Sequence, residues 1–164
     1  MQLSSPLLDR LFLLITNLGS PRAFIILASL FTLLLLVKKK KVEALCMNLC
    51  LIISWQLMNG LKIVFARPRP LGEHLTYASG FSFPSGHAML SIAFYGFLAY
   101  LALSLLPRKI GKILAAILAI LILLIGLSRI YLNVHYASDV IAGYIFGAIV
   151  LYVFLKVMLS WTRQ

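Results

Sequence analysis

An all-α bundle of about six membrane-spanning helices is the architecture that this sequence predicts, and three observations support it. The 164 residues are 62% hydrophobic, with a mean hydropathy of +1.02. This is more apolar surface than a soluble core of that size can bury. The apolar residues also fall into six runs, and most of the basic residues lie in the short segments between them. No Gly/Ser-rich linker or internal repeat divides the chain, so we expect one membrane-embedded domain over residues 1–164.

Six apolar runs define the expected helices. They cover residues 7–18, 23–37, 44–65, 88–106, 113–127 and 140–159. A helix needs roughly 20 residues to cross about 30 Å of hydrocarbon, so the third, fourth and sixth runs qualify directly. The second and fifth runs need flanking residues or a thinner bilayer. The first run is the shortest and has Asp9 and Arg10 near its start. It is compatible with a sixth span or with an amphipathic helix in the membrane interface.

The net charge of +11 is distributed in a way that predicts topology. Residues 38–41 are all lysine and separate the second and third runs. Arg108, Lys109 and Lys112 separate the fourth and fifth. Two spans lie between these clusters, which places both on one face, and the positive-inside rule makes that face cytoplasmic. Anionic lipid headgroups are the expected partners of such clusters. Nucleic acid is not an expected partner of this chain.

Three polar stretches fall on the opposite face of the membrane. Residues 62–70 end the third run, residues 83–87 precede the fourth, and residues 128–139 join the fifth to the sixth. In a bacterium this face is periplasmic, and in an internal eukaryotic membrane it is lumenal. Ionisable groups clustered in so apolar a chain indicate a functional site, because burying them costs several kcal/mol.

The first chemical property of these stretches is an excess of positive charge. Lys62, Arg69 and Arg129 lie near the membrane surface with few acidic residues to neutralise them. Arginine presents a planar fork that fits phosphate oxygens, and lysine a mobile point charge. Ser85 and Gly86 precede an apolar helical run, where a serine hydroxyl and backbone N–H groups can cradle a phosphate. The pattern therefore predicts a site for a phosphate-like anion.

The second property is a pair of residues suited to proton or phosphoryl transfer. His135 and Asp139 are four residues apart, and we expect both on one face at the start of the sixth helix. A carboxylate in that position fixes the imidazole tautomer. A metal-dependent mechanism would need several converging carboxylates. The other acids, Asp9, Glu43 and Glu73, are too scattered to supply them. We therefore expect neither a metal nor another cofactor.

The spacing of these residues resembles the three-part signature of the type-2 phosphatidic acid phosphatase superfamily. The three parts are Lys-x6-Arg-Pro, Pro-Ser-Gly-His and Ser-Arg-x5-His-x3-Asp, and they occur here in the same order. Three spaced motifs in order are far more specific than any one of them. The matching residues are Lys62, Arg69, Pro70, Pro84, Ser85, Gly86, His87, Ser128, Arg129, His135 and Asp139.

The resemblance implies a role for each matched position. It makes His135 the nucleophile that forms a phosphohistidine, Asp139 its orienting partner and His87 the general acid. It implies that phosphate is bound by Lys62, Arg69, Ser85, Gly86 and Arg129, with support from Pro70, Pro84 and Ser128. It also implies an integral membrane lipid phosphatase, and we expect it in a bacterial inner membrane with its active site facing the periplasm. Expected substrates are lipid A 1-phosphate or undecaprenyl pyrophosphate first, then phosphatidylglycerol phosphate or phosphatidic acid.

Several alternatives stay open at this level. A lipid phosphotransferase would share the first half-reaction, and a non-catalytic lipid carrier would also account for helices and basic residues. A vanadium haloperoxidase shares this kind of anion site, although membrane spans argue against a soluble oxidase. Arg67, Glu73 and His74 have no assigned role in the signature. Gly143-x3-Gly147 permits close helix packing within or between chains. The sequence does not indicate an oligomeric state.

Overall fold

The computed structural model describes residues 5–162, and six helices make up most of them. Several of their boundaries follow from the local sequence, as described below. The helices are α1 (Pro6–Asn17), α2 (Pro21–Val37), α3 (Lys41–Phe65), α4 (Gly86–Leu105), α5 (Arg108–Tyr131) and α6 (Ala137–Thr162). The prediction of an all-α, polytopic helical bundle with about six helices is confirmed.

Serine–proline pairs start the first two helices. The Ser5 hydroxyl accepts a hydrogen bond from the Leu8 amide, and the Ser20 hydroxyl accepts one from the Ala23 amide. Proline follows each serine, where its fixed φ suits the first helical position and its missing N–H costs nothing. The helices therefore restart after only a three-residue turn between Asn17 and Pro21.

Backbone conformation and proline determine the end of α3 and the turn between α5 and α6. Ala66 adopts a left-handed conformation with φ 43° directly after α3, and the Arg-Pro-Arg-Pro sequence that follows cannot continue a helix. Asn133 adopts φ 55° in the turn between α5 and α6. A long loop, residues 66–85, is pinned to that turn because the Leu75 amide donates to the Leu132 carbonyl.

Membrane-spanning capacity is unequal among the helices. Within residues 5–162, α3, α4, α5 and α6 are each long and apolar enough to cross a bilayer. The α1 and α2 segments qualify only as a pair, which is bent by 48°, so the described chain has up to five spans. With 12 residues, α1 reaches about 18 Å and is too short to be a full independent span.

Helix α4 occupies the centre of the bundle and packs against α3, α5 and α6. Its buried side chains include Met89, Phe94 and Phe97. Gly143 and Gly147 of α6 let the two backbones approach closely. A Cβ at Gly143 would lie 2.7 Å from the Ser85 carbonyl oxygen, and one at Gly147 would lie 2.5 Å from the Met89 carbonyl oxygen. This glycine pair therefore packs within the chain and fixes the start of α4 against α6.

Candidate active site

The α1–α2 turn, the end of α3, the start of α4, the α5–α6 turn and the 66–85 loop converge at the end of the bundle opposite the lysine-rich loops. They enclose a cavity of about 290 Å³. Six of the residues in the signature line it: Lys62, Arg69, Gly86, His87, Arg129 and His135. Lys62 and Arg129 come from the last turns of α3 and α5, while Gly86 and His87 open α4. The arrangement brings together signature residues from three separate stretches of the sequence.

His135 is buried, and its two ring nitrogens face different surroundings. Its Nδ1 lies 3.3 Å from the Ser82 hydroxyl and 3.5 Å from Asp139 Oδ2. Its Nε2 lies 3.3 Å from Nη1 of Arg69. Because a guanidinium can only donate, Nε2 is the acceptor and Nδ1 carries the proton. The geometry therefore leaves an unprotonated Nε2 on the cavity side, which is the form a nucleophile requires.

The pKa of His135 is lowered to about 4. Burial is the largest cause, because desolvation disfavours the imidazolium, and the hydrogen bond to Asp139 opposes it. The positive charges of Arg69, Arg129 and Lys62 lower the pKa further. At neutral pH the ring is therefore neutral, and its unprotonated Nε2 accepts only the 3.3 Å contact from Arg69. Burial also lowers the pKa of Arg69, while the charge of Asp139 raises it.

Asp139 is fully buried, and three groups besides His135 hold its carboxylate. Arg67 Nη1 lies 2.8 Å from Oδ1, and the Tyr136 amide donates to Oδ2 at 3.0 Å. The Ser82 hydroxyl also donates to Oδ2. Asp139 lies in the first turn of α6, whereas His135 lies in the preceding turn, so the expectation of two residues on one helical face was wrong in detail. The loop geometry brings them together instead.

The sequence predicted only electrostatic support or a headgroup contact for Arg67, and it gave no role to Ser82 in this cluster. Arg67 pairs with Asp139 and Ser138 and lies over the Tyr136 ring, with its Cζ 4.1 Å from the ring centroid. It thus neutralises the buried carboxylate and does not line the cavity. Its position in the Arg-Pro-Arg-Pro pattern was a visible signal, but Ser82 had none, because its contact with Asp139 spans 57 residues.

Arg69 braces the loop as well as contributing charge. Its guanidinium donates to the backbone carbonyls of Gly80, Ser79 and Val134 at 3.0, 2.7 and 2.7 Å. The Lys62 ammonium donates to the Phe81 carbonyl. Both cations are therefore held in place by the same loop, and their charges face the cavity without an adjacent acid there.

Two buried polar atoms at the site have no hydrogen-bond partner within the described residues. They are the hydroxyl of Ser85 and Nε of Arg129. Such groups are costly to bury unless a ligand satisfies them. The Ser85 amide is already used, because it donates to the Asp139 carbonyl at 2.9 Å. The expectation that this amide would cradle phosphate is therefore corrected, and only the hydroxyl remains available.

The remaining sequence-based candidates lie around the site. Ser128 is buried and donates its hydroxyl to the Ile125 carbonyl, so it serves the helix backbone. The Pro70 carbonyl lies 3.0 Å from Nε2 of His74. The Glu73 carbonyl accepts from Asn133. Glu73 and His74 are exposed and lie outside the cavity lining. Pro84 is fully buried directly before Ser85.

Comparison with known proteins agrees with this geometry. Residues 43–163 match the PAP2 superfamily, and the chain belongs to that family. It is a PAP2-type membrane lipid phosphatase, which confirms the resemblance and the enzyme class predicted from sequence.

The proteins that are similar to this chain include one bacterial enzyme and two crystal structures. The chain is 32% identical over 152 residues to phosphatidylglycerophosphatase B of Bacillus subtilis (strain 168), covering 90% of this chain and 73% of that protein. It is similar to the crystal structure of the PAP2-type phosphatidylglycerolphosphate phosphatase from Bacillus subtilis, with a TM-score of 0.89, 30% identity and coverage of 94% and 78%. The crystal structure of Aquifex aeolicus LpxE gives a TM-score of 0.77, 28% identity and coverage of 94% and 88%.

Proposed function

We propose that this single domain hydrolyses a lipid phosphomonoester through a phosphohistidine on His135, without a metal. The observation that carries the proposal is a neutral, buried imidazole facing a cavity that also holds Lys62, Arg69 and Arg129. These cations stabilise the charge on the phosphoryl oxygens in the transition state. Across residues 5–162, no three His, Cys, Asp or Glu side chains converge as a metal site would require.

The reaction has two steps. Nε2 of His135 attacks phosphorus while the bond to the lipid oxygen breaks, and His87 donates a proton to that oxygen. Water then attacks the phosphohistidine, gives a proton back to His87, and leaves inorganic phosphate and a free Nε2. A bound phosphate offsets the three cations and so favours the protonated form of His87 that the first step needs.

An apolar groove next to the cavity supports a substrate with a lipid tail. Pro21, Trp55 and Leu90 line both the cavity and the groove, so the two are continuous. The groove has a volume of about 260 Å³ and lies between α2 and α3. Its other lining residues are Phe24, Ile25, Leu51 and Ile52. A phosphate in the cavity would place an attached acyl chain in this groove.

The relatives direct the choice of first substrate. The sequence relative and one of the two crystal structures, both from Bacillus subtilis, are named for phosphatidylglycerol phosphate, and the other structure is LpxE. We therefore place phosphatidylglycerol phosphate first and keep lipid A 1-phosphate, undecaprenyl pyrophosphate and phosphatidic acid as competitors. A phosphotransferase would use the same first step, but it would give a phosphorylated lipid acceptor in place of inorganic phosphate.

A lipid panel with EDTA present tests this proposal. The purified protein should release inorganic phosphate from phosphatidylglycerol phosphate faster than from the other three lipids. Ile52→Trp fills the groove and should raise KM for the lipid roughly tenfold, because two lost methylene contacts cost about 1.6 kcal/mol. It should leave p-nitrophenyl phosphate hydrolysis unchanged.

Ile53→Trp is the matched control, since Ile53 is similarly exposed but lies outside the groove. It should leave both activities unchanged. An absolute requirement for added magnesium or zinc would refute the metal-independent mechanism. Equal KM values for the two tryptophan variants would contradict a role of the groove in binding the lipid tail.

We also propose that the site faces the periplasm from a bacterial inner membrane. The support is the positive-inside rule: both basic clusters lie at the end of the bundle opposite the cavity. In a background without Cys46 and Cys50, Leu71→Cys should react with an impermeant thiol reagent in intact cells. Leu71 is 95% exposed beside the site, whereas Lys109→Cys, in the second basic cluster, should be protected. The reverse labelling pattern would invert the orientation.

A further inference from the structure

The end of α1 contacts a residue that lines the active site, although α1 lies outside the segment that matches the family. Arg129 Nη1 donates to the Thr16 hydroxyl at 2.7 Å, and each residue is only 4% exposed. Thr16 precedes residues 43–163, so the superfamily match does not include it. A residue of the shortest helix thus contacts one of the three cations that line the cavity.

This contact fixes the orientation of the guanidinium. Thr16 engages Nη1, while the buried Nε has no hydrogen-bond partner among residues 5–162. A planar guanidinium presents its donors in a rigid fork, so holding one nitrogen determines where the others point. Thr16 therefore leaves Arg129 with unused donor capacity for an anion in the cavity, to which Arg129 contributes lining.

The turn after α1 is similarly constrained beside His87. The Tyr95 hydroxyl donates to the Leu18 carbonyl at 2.7 Å and holds the turn against α4. Gly19 lines the cavity. A Cβ at Gly19 would lie 2.9 Å from Cδ2 of His87 and 2.6 Å from Cγ2 of Ile125. Only a residue without a side chain leaves the His87 ring in its present place.

We propose that residues 16–19 form a positioning element for the reaction, in which Thr16 orients Arg129 toward phosphate and Gly19 accommodates the ring of His87. The proposal rests on the proposed phosphatase function and extends it to the α1–α2 turn. Gly19 lines the cavity itself, whereas Thr16 acts through its contact with Arg129. The two contacts act on different steps, phosphate binding and proton transfer, so they can be tested separately.

Thr16→Val removes the hydroxyl and preserves the branched shape. We expect about tenfold weaker binding of inorganic phosphate and about tenfold lower kcat/KM, because a hydrogen bond that orients a charged group is lost. Thr16→Ser should stay within about twofold of wild type for the same reason. In an Arg129→Ala background, Thr16→Val should cause no further loss of phosphate affinity. Phosphate binding is measured by calorimetry on the full chain in detergent.

Thr32→Val is the matched control for Thr16→Val. The Thr32 hydroxyl accepts a hydrogen bond from Asn48 Nδ2 at 2.7 Å, but it lies in the α2–α3 contact away from the cavity. This variant should show a comparable loss of Tm with wild-type phosphate affinity. Should Thr16→Val fail to fold, Thr16→Ala is measured in the same way. Wild-type phosphate affinity in a folded Thr16 variant would overturn its positioning role.

Gly19→Ala tests the second contact, with Gly60→Ala as its control because a Cβ at Gly60 meets nothing within 4 Å. Gly19→Ala should lower turnover of an alkyl phosphate more than that of p-nitrophenyl phosphate, because His87 supplies the proton to the alkoxide. Equal turnover ratios for Gly19→Ala and wild type would overturn this part. A wild-type protein that binds phosphate but hydrolyses no lipid would refute the proposed function, and the Thr16 comparison would still be decided by affinity.

Discussion

His135→Ala is expected to abolish turnover on every substrate, with a loss of at least about 10⁴-fold. The reason is geometric: Nε2 of His135 faces the cavity as a neutral acceptor. Without this ring, the first step has no attacking atom. Rapid quench with a ³²P-labelled substrate should show an alkali-stable, acid-labile phosphoprotein in wild type and none in the variant.

His74→Ala is the control for that experiment, because His74 lies in the exposed part of the 66–85 loop and does not line the cavity. It should retain full turnover and the phosphoprotein. If the His135→Ala protein still forms the labelled intermediate, another residue is the nucleophile. Loss of label without loss of turnover would instead favour direct attack by water.

The positions of the helices could be predicted because their cause is local. The run expected over residues 88–106 corresponds to α4 at Gly86–Leu105, and the run over 113–127 lies within α5. A sustained apolar stretch determines a membrane helix by composition alone. The structure of the first run, residues 7–18, was harder to predict, because it depends on packing against α5. The Phe12 ring stacks on Tyr131 with centroids 4.3 Å apart, and such a contact leaves no trace in the periodicity of either helix.

The composition of the site was predictable to the extent that charge and spacing reveal it. Three cations without neighbouring acids indicated an anion, and the order of the motifs indicated the family. The supporting contacts were not predictable. Thr16 and Arg129 are 113 residues apart, and nothing in either local sequence relates them. The Arg67–Asp139 pair likewise joins residues 72 apart, and it forms only because the 66–85 loop folds back to the start of α6.

The effect of the His87→Ala substitution is expected to depend on the leaving group of the substrate. Loss of a general acid typically costs 10²- to 10⁴-fold, so His87→Ala should reduce alkyl phosphate hydrolysis by about that factor. An alkoxide is a poor leaving group and needs the proton. A p-nitrophenolate or a phosphate leaving group is far less basic and departs without it. On p-nitrophenyl phosphate or a lipid pyrophosphate, the rate of the first step, formation of the phosphohistidine, should therefore fall by about tenfold or less.

The comparison of the two histidine variants is the decisive measurement. His87→Ala should still bind inorganic phosphate, because Lys62, Arg69 and Arg129 remain. With an aryl substrate it should also accumulate phosphoprotein, since the base that activates water in the second step is missing. His135→Ala should show neither rescue nor accumulation on any substrate. Equal losses for both variants across alkyl, aryl and diphosphate leaving groups would contradict the division of roles, because a general acid must matter most where the departing oxygen is most basic.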